Sequence, residues 1–168
     1  PDLTRTLAWS EDVNRSVGET VRDVPPFPMV RESLQALRGK ADVMVVSATP
    51  GEALTREWDE HDLAQYVGLI AGQELGTKKE HLALAAAGRY EPDRILMVGD
   101  APGDRKAAEA NGVLFYPIDP GFEDETWQRF YDEALPRFLE GRYKGSYMEE
   151  QIARFEQLLP ESPPWRTA

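Results

Sequence analysis

The sequence contains no cysteine, and this absence excludes disulfide bonds and thiolate metal sites. It also has no apolar run long enough to span a bilayer and no signal pattern at its start, which favours a cytoplasmic protein without a membrane partner. Clusters of lysine and arginine are missing as well, and the formal net charge is −11. Because nucleic-acid binding needs a basic face, we expect no DNA or RNA partner.

The residues that are present are typical of an ordinary globular chain. Hydrophobic residues make up 41% and charged residues 29% of the 168 positions, which allows one compact domain with a core and a small appendage. The acidic balance does not exclude a phosphate ligand, because a metal ion, a lysine or a helix amino-terminus makes a site locally positive.

Short apolar runs alternate with helical patterns in the middle of the chain. The runs lie at residues 43–46, 69–71, 95–98 and 113–116. Runs of this length, bounded by turn formers, are typical of strands buried in a parallel sheet. Helices are predicted between them, at residues 50–66, 78–87 and 104–110. The alternation predicts an α/β fold with a Rossmann-like, doubly wound parallel sheet.

Prolines separate the first part of the chain from this alternation. Residues 3–21 show helical spacing of apolar side chains, and the prolines at positions 25, 26 and 28 end that pattern because proline cannot continue a helix. We therefore predict three parts, which are a helical segment at 1–24, a core at 25–122 and a helical extension at 123–168.

The predicted extension carries an aromatic helical face, formed by Trp127, Phe130, Tyr131 and Phe138. Pro136 is expected to bend or divide this helix. A further amphipathic helix is predicted over residues 146–159. The preferred interpretation is that these helices cover a flank of the sheet, and the alternative is an aromatic-lined groove for a substrate.

Carboxylates follow the predicted strand at residues 95–98. Asp100 stands directly after Gly99, and Asp104 lies four residues further on, at the predicted start of a helix. Ligands of open α/β sheets bind at the carboxyl ends of the strands, and carboxylate oxygens suit Mg²⁺. We therefore predict that Asp100 and Asp104 form a magnesium site. The alternative for Asp104 is a helix cap, and the two roles are compatible.

Polar side chains in two other places fit a phosphate ligand. Ser47 follows the strand at 43–46, next to a predicted helix start where free N–H groups favour an anion. Thr49 is assigned to capping that helix. Lys78 opens the helix after the next strand, with Lys79 as its rival. The alternatives are a turn serine and a solvated lysine, and the histidines at positions 61 and 81 are expected at the surface.

Taken in order, these residues resemble the haloacid dehalogenase superfamily of phosphohydrolases. The similarity lies in Ser47 after an apolar strand, Lys78 at a helix start and the GDxxxD pattern that begins at Gly99, and it covers residues 28–120. The resemblance implies Mg²⁺-dependent hydrolysis of a small phosphorylated metabolite through an aspartyl-phosphate. It implies that Ser47 and Lys78 bind phosphate, that Asp100 binds the metal, and that Asp104 supports the metal or orients the lysine. Residues 1–24 resemble the end of a helical cap.

The family's first motif, DxDxT, which carries the nucleophile and a general acid/base, is missing. Glu11 and Asp12 lie in a helical stretch without the strand and threonine of that motif. We therefore expect this chain alone to be inactive, and to be completed by an amino-terminal segment or another chain. In the family, strands 43–46 and 95–98 would flank the nucleophile's strand. The alternatives are a non-catalytic phosphate- or metal-binding module, a pseudoenzyme of the same fold and a metal-free haloacid dehalogenase.

Overall fold

The computed structural model describes residues 2–20, 24–86 and 88–159 of a mixed α/β chain. Its helices are α1 (Asp2–Thr20), α2 (Val30–Leu37), α3 (Gly51–Glu60), α4 (Lys78–Ala86), α5 (Pro102–Ala110), α6 (Glu123–Arg129), α7 (Leu135–Leu139) and α8 (Ser146–Leu158). Its strands are β1 (Met44–Val46), β2 (Leu69–Ala71), β3 (Leu96–Gly99) and β4 (Leu114–Pro117). Short 3₁₀ turns lie at Ala64–Tyr66, Gln73–Leu75 and Pro92–Arg94.

All four predicted strands are found, displaced by no more than one residue. Residues 21–23, 87 and 160–168, which include the predicted ends of the first helix, of α4 and of the extension, lie outside the described residues. No helix in the described ranges is long and apolar enough to cross a membrane.

The strands form two separate parallel pairs. β1 pairs with β2, with Met44 opposite Leu69, and β3 pairs with β4, with Leu96 opposite Leu114. The predicted α/β class with parallel βα units is confirmed, whereas one continuous doubly wound sheet is not formed by the described residues. The prediction that β1 and β3 do not pair with each other is also confirmed.

Burial differs between the strands although each of the four pairs with one other strand. All residues of β4 are buried, whereas all of β1 and most of β3 are only half-buried, although their side chains are just as apolar. Helix α8 packs along β4, and the hydroxyl of Tyr143 donates a 2.8 Å hydrogen bond to the carbonyl oxygen of Phe115. Packing of α8 thus buries β4, which has a single strand partner just as β1 and β3 do.

Two helices hold the strand pairs together. α4 follows β2 and packs against α5, which follows β3. Both helices contribute to a buried cluster, whose members are Leu82, Met97, Ala107, Ala108, Phe115 and Phe155. Val46 of β1 packs against the same cluster, so both strand pairs contribute to one core.

The segment from α6 to α7 lies in the second core cluster, against which Tyr147 and Met148 of α8 also pack. Its buried members are Leu114, Tyr116, Ile118, Phe130, Ala134, Leu135 and Tyr143. The rings of Tyr116 and Phe130 lie 5.0 Å apart. A buried ion pair at 3.3 Å between Arg129 and Asp119 fastens α6 to the chain just after β4. These contacts agree with the interpretation that the helices cover the sheet's flank.

Proline divides the long helix of this region, as expected. A π-helical segment, Phe130–Ala134, separates α6 from α7. Pro136 has no N–H to donate to the preceding turn, and a proline ring crowds the carbonyl four residues earlier in an α-helix. The wider π turn gives the ring room without ending the helix.

Candidate functional site

The candidate site lies where β1 and β3 end and where α3, α4 and α5 begin. Ser47 and Asp100 follow the two strands, and Lys78 and Asp104 lie in the first turns of α4 and α5. Asp104 is the best defined of them, because it is only 1% exposed. Its Oδ1 forms an ion pair with the Lys78 ammonium, and its Oδ2 accepts a 3.2 Å hydrogen bond from the N–H of Ala101. Both oxygens of this buried carboxylate are therefore engaged by the protein itself.

Gly99 is required for the position of Asp104. A Cβ atom built on Gly99 would lie 2.5 Å from the Asp104 Cγ atom, far inside van der Waals contact. The glycine of the GDxxxD pattern thus lets the last residue of β3 and the first turn of α5 approach closely. The aspartate closes a capping interaction at the helix start while it also pairs with the lysine.

A second capping interaction places Lys78. The Glu80 carboxylate accepts the N–H of Thr77 at 2.8 Å, and the Thr77 hydroxyl accepts the N–H of Glu80 at 3.3 Å. The Thr77 N–H lowers the pKa of Glu80, because it stabilises the charged carboxylate. This box makes Lys78 the first residue of α4, with its side chain 30% exposed. Lys78 reaches Asp104, whereas the neighbouring Lys79 is exposed.

Ser47 lies directly after β1. Its N–H donates to the Ala71 carbonyl at 3.0 Å, which extends the strand pairing by one residue. Its Oγ accepts the N–H of Thr49 at 3.1 Å, so the hydroxyl proton remains able to donate to an anion. In the described part of the chain, Ser47 makes no hydrogen bond to Lys78 or Asp104.

The assignment of Thr49 as a helix cap is wrong. Helix α3 begins after Pro50 and has no side-chain hydrogen bond from its N-cap residue. The N–H of Thr49 is taken by Ser47, and its carbonyl accepts the N–H of Gln73 at 3.1 Å. The cap comes instead from Glu74, whose Oε2 accepts the N–H of Gly51 at 3.0 Å. Sequence patterns do not predict this contact, because its partners are distant in the chain.

Asp100 is exposed at the end of β3, beside the buried Asp104. No group of three or more His, Asp or Glu side chains that could hold a metal ion is found among the described residues. Mg²⁺ needs fewer, since it keeps several waters and is commonly held by one or two carboxylates together with a substrate phosphate. Asp100 fits such a ligand, whereas Asp104 fits a supporting role because its oxygens are already engaged.

His81 is buried, so the prediction of a surface position is wrong. It is only 5% exposed, and neither ring nitrogen has a hydrogen-bond partner in the structure. It lines an apolar depression of about 360 Å³ together with Met44, Leu69, Ala71, Leu75, Leu84 and Ala85. The error has a simple cause. In α4, Leu82 is buried and Leu84 is 77% exposed, so the apolar residues do not mark the inward face.

The site therefore contains one formed contact and two side chains that stand apart from it. Lys78 and Asp104 meet, while Ser47 and Asp100 lie at the ends of their strands without touching this pair in the described ranges. A comparison with protein-family models finds no match to this chain, and comparisons with curated proteins and with solved structures find none either.

Proposed function

We propose that this chain supplies the phosphate- and metal-binding part of a Mg²⁺-dependent phosphohydrolase of the haloacid dehalogenase type, which acts on a small phosphorylated metabolite. The observation that carries the proposal is the pair of Lys78 and Asp104. It joins the helix after β2 to the helix after β3 at the carboxyl ends of the strands, where ligands of α/β sheets bind.

The roles of the side chains follow from their contacts. Asp104 orients Lys78, whose ammonium then neutralises charge on a bound phosphoryl group. Ser47 accepts the N–H of Thr49 at its Oγ atom, and its hydroxyl proton remains free to donate to a phosphate oxygen. Asp100 would hold Mg²⁺, which supplies further positive charge when it is bound.

The half-buried edges of β1 and β3 support a strand between them. Each buried N–H or C=O group left without a partner costs about 1–3 kcal/mol, so apolar strands such as these are rarely left open on one side. We infer that one further parallel strand fills this position and completes a doubly wound sheet in the order β2, β1, new strand, β3, β4. The strand comes from residues upstream of Pro1 or from another chain.

A carboxylate at the end of that strand would complete the chemistry. Its oxygen would attack the phosphorus atom, the bond to the leaving alkoxide would break, and the departing oxygen would take up a proton from the general acid/base of the missing motif. Water would then attack the phosphorus atom, the bond to the carboxylate would break, and inorganic phosphate would leave. Lys78 and Ser47 stabilise the negative charge on the phosphoryl oxygens in both steps.

Hydrolysis of an aryl phosphate by the full-length gene product tests this function. We expect Mg²⁺-dependent turnover, and we expect Lys78→Met and Asp100→Asn each to lower kcat/KM by about 10²-fold or more. Lys79→Met is the matched control, because it removes the same charge from an exposed neighbour and should leave turnover unchanged. Equal losses in the two lysine variants would contradict the proposal. Phosphate binding without any turnover would instead support a non-catalytic binding module.

A further inference from the structure

The loops after β1 and β2 are tied together by contacts that none of the roles above uses. The first loop carries Ser47, and the second leads into Lys78. The Glu74 carboxylate accepts the N–H of Gly51 at 3.0 Å, and the N–H of Gln73 donates to the Thr49 carbonyl at 3.1 Å. Both bonds run from the second loop to the first.

The backbone itself confirms how close these loops are. A Cβ atom on Gly72 would lie 2.4 Å from the Gly51 nitrogen and 2.8 Å from the Glu74 Oε2 atom. Any residue other than glycine at position 72 would push the two loops apart. Residues 72–74 thus form a continuous set of contacts with residues 49–51.

The Glu74 side chain is exposed, so it contributes to these contacts through its charge and its hydrogen bond to Gly51 and not through packing. Its own N–H and the N–H of Gly51 lower the pKa of the carboxyl group, so Glu74 is ionised at neutral pH. It lies at the start of α3, where the helix has no local cap and its free N–H groups favour a negative charge.

We propose that Glu74 is a positioning residue that fixes the distance between the Ser47 hydroxyl and the Lys78 ammonium. This inference rests on the proposed function, because those two groups are the ones assigned to phosphate. Glu74 does not itself touch the phosphate. It acts by holding the loop that carries one group against the loop that places the other.

Titration of the full-length protein with inorganic phosphate in the presence of Mg²⁺ tests the proposal. Because small displacements of binding groups are costly, we expect Glu74→Ala to weaken phosphate binding roughly tenfold. Glu74→Gln keeps an acceptor for the Gly51 N–H and should recover most of the affinity. Unchanged or tighter binding in Glu74→Ala would overturn the proposal, since the carboxylate would then be a bystander or a competitor of phosphate.

Glu123→Ala is the matched control. Its carboxylate also accepts a glycine N–H, that of Gly121 at 2.9 Å, but in the loop after β4. We expect this variant to bind phosphate as the wild type does. A loss equal to that of Glu74→Ala would show that any such cap affects binding through general stability, and would overturn the specific role of Glu74.

Amide hydrogen exchange at Gly51 separates this inference from the proposed function. We expect exchange at this amide to be faster in Glu74→Ala and near wild type in Glu74→Gln. If the wild type binds no phosphate, the proposed function fails, and faster exchange still supports the tie between the loops. Unchanged exchange in Glu74→Ala overturns the tie whatever the phosphate result.

Discussion

Replacement of Gly99 by alanine tests the geometry of the candidate site most sharply. The added Cβ would meet Asp104 Cγ at 2.5 Å, and Asp104 is only 1% exposed. The carboxylate must then shift, which weakens its contacts with Lys78 and with the N–H of Ala101. Overpacking of a buried site costs about 1–3 kcal/mol, and disruption of a buried ion pair costs about 3–5 kcal/mol.

The loss of the pair is smaller here than in a fully buried case, because Lys78 is 30% exposed and is rehydrated when it is released. We therefore expect Gly99→Ala to lower the free energy of unfolding by about 2–4 kcal/mol, a large share of the 5–15 kcal/mol typical of a domain.

Urea unfolding monitored by circular dichroism measures the effect, with Gly103→Ala as the control. Gly103 lies in the first turn of α5, and a Cβ there meets nothing within 4 Å. Since alanine is the better helix former, the control should gain up to about 1 kcal/mol. Equal stability of the two variants would refute the close approach of Gly99 to Asp104.

Further predictions concern packing in the core, the pH dependence of stability, Mg²⁺ binding and the activity of the 168 residues alone. Phe155→Ala should lower the free energy of unfolding in urea by about 3–5 kcal/mol, because Phe155 is 2% exposed and packs edge-on against Phe115. A decrease below about 1 kcal/mol would contradict the packing of α8 in the core. Burial raises the pKa of Tyr147 to about 12, with a further contribution from the nearby Glu133 carboxylate. Its neutral form thus stabilises the fold below pH 10, and this contribution is lost as the pH rises towards 12; Tyr147→Phe should flatten that loss. Mg²⁺ should raise the melting temperature of the full-length protein, and an equal rise in Asp100→Ala would place the ion elsewhere. The 168 residues alone should not hydrolyse an aryl phosphate, and Mg²⁺-dependent turnover that Asp100→Asn abolishes would contradict this.

Local patterns predicted the strands of this chain well, whereas the helix predicted to run to residue 66 ends at Glu60 and is followed by a separate 3₁₀ turn. Unbroken apolar runs marked β1 to β4 to within one residue. A strand of a parallel sheet packs on both faces, and it therefore needs apolar side chains at successive positions. The start of α4 at Lys78 was also predicted, and the structure shows that Thr77 and Glu80 cap this helix start.

Features that depend on distant parts of the chain were not predictable in the same way. Glu74 caps a helix that begins 23 residues earlier, and no local pattern records such a contact. Thr49 and Pro50 resemble a helix start, yet the partner loop takes the Thr49 carbonyl instead. The separation of the sheet into two pairs follows from which strands are available to pair, and hydrophobic periodicity alone does not contain that information.

An experimental structure of this chain together with the segment or partner chain that supplies the further strand is the most direct test of the proposed architecture. The proposal predicts one further strand between β1 and β3, parallel to both, that ends in an aspartate facing Ser47, Lys78 and Asp100. Direct parallel pairing of β1 with β3 would contradict the strand order. A strand in this position without a carboxylate at its end would contradict the proposed nucleophile and favour a binding module.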